Sequence, residues 1–100
     1  MNNLINVDPS RLEDTASRVE AADDDYQRLY QSLYSEVDKL SGSWGGEDNT
    51  AFNGRIKSYE EDFRQISIIV RQYADFLRAS ARAYRETQDE LANAANRLKG

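Results

Sequence analysis

The chain has no cysteine and no histidine, and only one proline and five glycines in 100 residues. Each absence narrows what it can be. Without cysteine there is no disulfide, no thiolate nucleophile and no thiolate metal ligand. Without histidine, the commonest general base and the commonest transition-metal ligand are both missing. The single proline stands at position 9 and glycine clusters in one short stretch, so long segments remain free of helix breakers. No run approaches the roughly 20 apolar residues that a membrane-spanning helix needs. The first eight residues, Met1 to Asp8, show no basic region, no sustained apolar region and no small-residue cleavage pattern. Positive charge is in the minority, 13 Lys and Arg against 18 Asp and Glu, and a net charge of −5 repels nucleic-acid phosphates on average.

What remains is a charged, amphipathic chain with apolar residues at helical spacing. Asp8 fits an N-cap, Pro9 the first helical position, and Val7 with Leu12 a hydrophobic staple. Leu12, Val19, Tyr26, Leu33 and Leu40 recur every seven residues, with Ala16, Ala22, Leu29 and Val37 on a second seam. This predicts a first helix over about 9–40, closed by Gly42 in the left-handed conformation. A bend follows over 41–47, Ser41-Gly42-Ser43-Trp44-Gly45-Gly46-Glu47, where glycine permits a sharp reversal. A second helix over about 48–97 carries Ile56, Phe63, Val70, Leu77, Tyr84, Leu91 and Leu98 on one seam. Phe52, Tyr59, Ile66 and Tyr73 form the other. The fold class is therefore all-α, an antiparallel two-helix hairpin in a single domain. At 1.5 Å per residue the helices span roughly 48 and 70 Å. Folding back from Trp44 leaves the segment from about Ala81 onward without a partner in its own chain.

Two helices bury little, and this chain has no disulfide or metal to staple them. The second helix is also too apolar for one neighbour, since Ile68, Ile69, Phe76 and Ala83 widen its surface beyond the two seams. Ser67, Ala74 and Ala81 form a strip of small residues that lets another helix approach closely. These features predict that the hairpin dimerises into a four-helix bundle, with itself or with a similar chain. Tyr26, Tyr30, Tyr34, Ile69, Tyr73 and Phe76 are the expected interface.

The polar constellations have plain explanations. Asp23, Asp24 and Asp25 point about 100° apart on a helix, so they cannot converge on a metal and read as a solvated face. Glu60, Glu61 and Asp62 fail for the same reason. Lys57, Arg64, Arg71, Arg78 and Arg85 form a rail at seven-residue spacing, suited to pairing with the acidic first helix. No catalytic residue, cofactor site or metal site emerges. The acidic balance also disfavours a membrane-surface helix, whose polar face is usually basic. Trp44 either plugs the open end of the hairpin or forms part of a recognition surface.

Trp44-Gly45-Gly46, at the bend of a chain of this length, resembles the WXG family of early-secreted-antigen-like proteins. The likeness continues through Glu47-Asp48-Asn49-Thr50-Ala51-Phe52, which looks like that family's entry into its second helix. The resemblance implies a dimeric, non-catalytic protein exported by a type VII (ESX-like) secretion system and recognised by its ATPase. It also implies a secreted or cell-surface location reached without a cleavable signal peptide. The family's C-terminal export motif, Tyr-x-x-x-Asp/Glu, is matched by Tyr84, but Gln88 stands in place of the acid, with Leu91 and Ala95 completing the apolar frame. Either Gln88 substitutes for the acid, or the signal comes from a partner chain. The second option implies a helical partner or chaperone of a longer LXG-type effector toxin.

Overall fold

A computed structural model describes residues 8–43 and 46–99, with the side chains of 46–49 left aside. Two helices account for almost all of them, α1 over Pro9–Ser41 and α2 over Gly46–Lys99. Asp8 caps α1 from an extended backbone, its Oδ1 accepting from the Ser10 N–H at 2.9 Å, and Pro9 occupies the first turn, where no N–H is needed. Val7, and with it the expected staple, lies outside the described residues, as do Trp44 and Gly45.

The C-terminal end of α1 differs from expectation. Gly42 sits at φ −62°, ψ −23°, in the right-handed region, not the left-handed one. Its N–H donates to the Asp38 carbonyl at 3.2 Å, and the Ser43 N–H donates to the Leu40 carbonyl at 3.1 Å. The chain thus winds on past Ser41 in the right-handed sense of α1 as far as Ser43.

The paired part is longer than expected. Tyr34 meets Ile56, Tyr26 meets Phe63, Asp23 meets Ser67 and Arg71, Glu20 meets Arg78, and Glu13 meets Arg85. Ala81, expected to mark the start of an unpaired tail, is fully buried, and Arg85 reaches both Glu13 and Ser10. Side chains on a helix tilt toward its own N-terminus, so arginines on α2 lean toward the bend while acids on α1 lean away from it. They meet across an offset of about one turn, and the overhang starts beyond Arg85. The molecule is a rod, 82 × 22 × 17 Å, with a radius of gyration of 23.0 Å. A compact chain of this length has about 13 Å.

The buried line on α1 is also displaced from the expected seam. Pro9, Ala16, Asp23, Tyr34 and Ser41 are buried, whereas Leu33 and Leu40 of the heptad series stand half-exposed and Leu29 is 72% exposed. On α2 the first seam holds better, with Leu77 buried and Ile56, Phe63 and Val70 half-buried. Ser67, Ala74 and Ala81 do admit a close neighbour, and that neighbour is α1. Small residues line the closest approach because they let the backbones draw together, and the bulky side chains are displaced to one flank.

Candidate functional site

The hairpin has two unlike faces, and both follow from that arrangement. On one flank, Leu33, Tyr34 and Val37 of α1 and Ile56, Tyr59, Phe63 and Ile66 of α2 line an open apolar cleft of about 310 Å³ near the bend. Smaller clefts continue along the same groove, lined by Tyr26, Leu29 and Leu33 and then by Ala22, Tyr26, Ile66 and Val70. Around them Tyr59, Ile66, Ile69, Tyr73 and Phe76 are all about half-exposed or more, Phe76 reaching 64%. Contiguous apolar surface on this scale marks a contact site in a soluble protein.

The six residues expected at an interface divide into two groups. Ile69, Tyr73 and Phe76 stand exposed on α2. The three tyrosines of α1 are instead engaged within the hairpin. Tyr34 is buried and donates its hydroxyl to the Ile56 carbonyl at 2.8 Å, and Tyr26 donates to the Phe63 carbonyl at 3.0 Å. Tyr30 stacks on Phe63 with ring centres 5.9 Å apart, while Tyr34 and Tyr26 meet the same ring at an angle. Their four-residue spacing puts the three tyrosines on one face of α1. That face closes on α2 because Phe63 sits opposite.

The other flank is ionic. Arg78 binds Glu20 through both terminal nitrogens at 2.6 and 2.7 Å, and Arg85 binds Glu13 at 2.6 Å. Arg71 bonds Asp23 at 2.7 Å and also Asp24. The expected pairing of the rail with acids of α1 therefore holds for these three arginines. Arg64 turns instead to Glu61 on its own helix. The hydrogen bond from Arg85 holds the Glu13 carboxyl below its ordinary range, and that from Arg78 does the same to Glu20.

Asp23 is the residue that sequence reasoning misplaced. It is 2% exposed, not solvated, and its Oδ2 accepts from Gln27, Ser67 and Arg71 at 2.8, 2.9 and 2.7 Å. Its Oδ1 is buried with no hydrogen-bond partner. Burial pushes its carboxyl upward, but the three donors and the Arg71 charge outweigh that and leave it lowered. The signal was present in the spacing: Asp23 continues the seven-residue line of Pro9 and Ala16, which faces Ser67 and Ala74. Asp24 and Asp25 do point outward, and Asp25 pairs with Arg28.

Of the remaining expected elements, Gly46 opens α2, and Trp44 and Gly45 lie outside the described residues. The tail is helical through Lys99, with Tyr84 half-buried and Gln88, Leu91 and Ala95 exposed. Leu98 near its end is 89% exposed. Among the described residues no acidic group gathers to hold a metal, and no helix is long and apolar enough to cross a membrane.

The geometry has close counterparts among solved structures. A secreted protein, EsxB of Bacillus anthracis, superposes with a TM-score of 0.76 at 23% identity, covering 83% of this chain and 89% of that one. EsxA of Geobacillus thermodenitrificans gives 0.72 at 20% identity, covering 87% and 95%. At such identities the likeness speaks for the shared hairpin. No curated protein matches the sequence. Residues 4–90 match the family model WXG100, proteins of 100 residues with WXG, and the chain belongs to that family.

Proposed function

We propose that the chain is a small secreted helical protein of a type VII secretion system, acting through protein–protein recognition and not catalysis. It lays its apolar face on the same face of a second copy, or of a related WXG- or LXG-type chain, to make a four-helix bundle. The observation that carries this reading is the exposed row Ile66, Ile69, Tyr73 and Phe76 beside an apolar cleft, on a chain of the WXG100 family. The similar EsxB of Bacillus anthracis is described as secreted, which supports the same destination for this chain. The Trp44-Gly45-Gly46 bend, and Tyr84, Gln88, Leu91 and Ala95 on the tail, are the elements the export ATPase reads.

Molar mass in solution tests the pairing. The isolated chain should run as a dimer, and Ile69→Glu with Phe76→Glu should convert it to a monomer, because each carboxylate loses its hydration on burial. A wild-type chain that stays monomeric at high concentration overturns the homodimer. Removing residues after Thr87 spares the contacts of Arg85, so it separates export from folding. Undiminished export of that truncated dimer rules out the tail's role.

Gln88, where the family's motif has an acid, favours a second reading, in which the chain partners a longer effector that supplies the signal. That reading expects the isolated chain to be monomeric or partly unfolded, and to be exported only when the effector is co-expressed.

A further inference from the structure

The two ends of the hairpin are held by different physics. Near the bend, the rings of Tyr26, Tyr30, Tyr34 and Phe63 pack together. Among the described residues, hydrogen bonds across this half run from the Tyr26 and Tyr34 hydroxyls to main-chain carbonyls, and neither group titrates in acid. Far from the bend the packing is thin. The buried apolar side chains there are Pro9, Ala16, Ala74, Ala81 and Leu77, with Leu12, Val19 and Tyr84 partly covered. Three of the five are alanines, which offer a single methyl group each, so little apolar area is at stake. Among the described residues, strong polar links across this half end on carboxylates: Arg71 on Asp23 and Asp24, Arg78 on Glu20, Arg85 on Glu13. Two longer contacts, from Arg78 to the Ser17 hydroxyl at 3.3 Å and from Arg85 to the Ser10 hydroxyl at 3.4 Å, add little.

We infer that the far arm of the hairpin, residues 9–23 against 71–85, is a clasp that acid releases while the aromatic half stays closed. Protonation of Glu13, Glu20 and Asp23 leaves Arg78 and Arg85 without their anions and Arg71 with Asp24 alone, so the three arginines face one another's charge at seven-residue intervals with little between them. Asp75 beside Arg78 and Asp8 near Arg85 are the other charges that bear on these arginines, and neither one bonds them across the helices. Asp23 is the pivot, since it stands where the aromatic packing ends and the ladder begins. Neutralising it weakens the acceptor of three hydrogen bonds at once. The direction of the carboxyl shifts agrees with the geometry: each is held below its ordinary range by the arginine contacts, so the contacts are lost as pH falls through the lowered values. Once released, the arm exposes the small-residue strip of α2 as new surface, available to another helix.

The absence of cysteine makes the test direct. Two doubly labelled chains, Arg11→Cys with Glu86→Cys on the far arm and Glu36→Cys with Ser58→Cys near the bend, report distances by spin labelling. Dilution with unlabelled chain restricts the reading to one protomer, and molar mass measured alongside distinguishes opening from loss of a second copy. Both pairs should give one narrow distance at neutral pH. Below about pH 4 the far pair should lengthen and broaden while the near pair stays put. A far pair unchanged down to pH 3, or two pairs that broaden together, overturns the inference. The triple variant E13Q/E20Q/D23N should show the open far arm at neutral pH, with amide exchange over residues 12–20 at least about tenfold faster relative to 28–38. If that variant keeps the arm closed, or loses the bend-side distance as well, the clasp does not exist as a separable unit.

Discussion

At the scale of single residues, two side chains behave against their type. Gly42 ends a helix yet adopts an ordinary right-handed conformation, and a Cβ placed on it would meet only main-chain oxygens at 3.5 and 3.7 Å, a normal contact distance. Glycine there costs unfolded-state entropy without a geometric return. Gly42→Ala should therefore be neutral or stabilising by about 0.5 kcal/mol in thermal melting. A loss of about 1 kcal/mol or more would mean that the bend uses a left-handed residue after all. Asp23 is the opposite case, a charge in a place that favours small apolar groups. Asp23→Ala removes three hydrogen bonds and leaves Ser67 and part of Arg71 without their acceptor. It should cost about 2 kcal/mol in denaturant unfolding, tempered by the access Arg71 keeps to Asp24. Asp24→Ala, which alters a half-exposed pair, should cost well under half as much.

At the scale of the element, α1 is short on reasons to persist alone and relies on a defined start. Asp8 and Pro9 supply it, one by accepting the Ser10 N–H, the other by needing no acceptor of its own. Asp8→Ala should lower helix content at the N-terminal end of α1 and cost about 1 kcal/mol. Because Glu13, in the second turn of α1, holds Arg85, the same change should speed amide exchange in α2 around Arg85 more than around Phe63. Exchange that rises only within α1 would count against this coupling. α2 is the sturdier element. It keeps a continuous seam from Ile56 to Leu77, whereas Leu29, Leu33 and Leu40 of α1 stand half-exposed or more.

At the scale of the whole molecule, the division into an aromatic half and an ionic half sets the response to pH. Glu13, Glu20 and Asp23 all have lowered carboxyl values, so their contribution is complete above the ordinary carboxylate range and is lost as pH falls through the lowered values. Tyr26 and Tyr34 are raised above 10.0, first by burial, so their contribution is complete below that value and is lost as pH rises through the raised ones. The melting temperature should therefore be flat through neutrality, fall below about pH 5 and fall again above about pH 10. Added salt should lower the neutral plateau modestly, because the ladder is half-exposed and screened. A profile that declines on one side only would show that one of the two halves does not hold the hairpin.

Much of this was legible in the residues before any coordinates. Asp8-Pro9, the glycine cluster and two long stretches at helical spacing fix two helices, because capping and periodicity are local properties of the chain. The ladder of arginines was legible too, since a seven-residue interval places side chains on one flank of any helix. Which flank meets which was decided only by the fold. The opposite lean of side chains on the two antiparallel helices carried the pairing past Ala81 to Arg85. The close approach of Ala16, Ala74 and Ala81 left Leu29, Leu33 and Leu40 outward, drew the tyrosines inward and buried Asp23. Periodicity names the stripes on a helix, but the distance between two backbones chooses which stripe is hidden, and that distance exists only once both helices are in place.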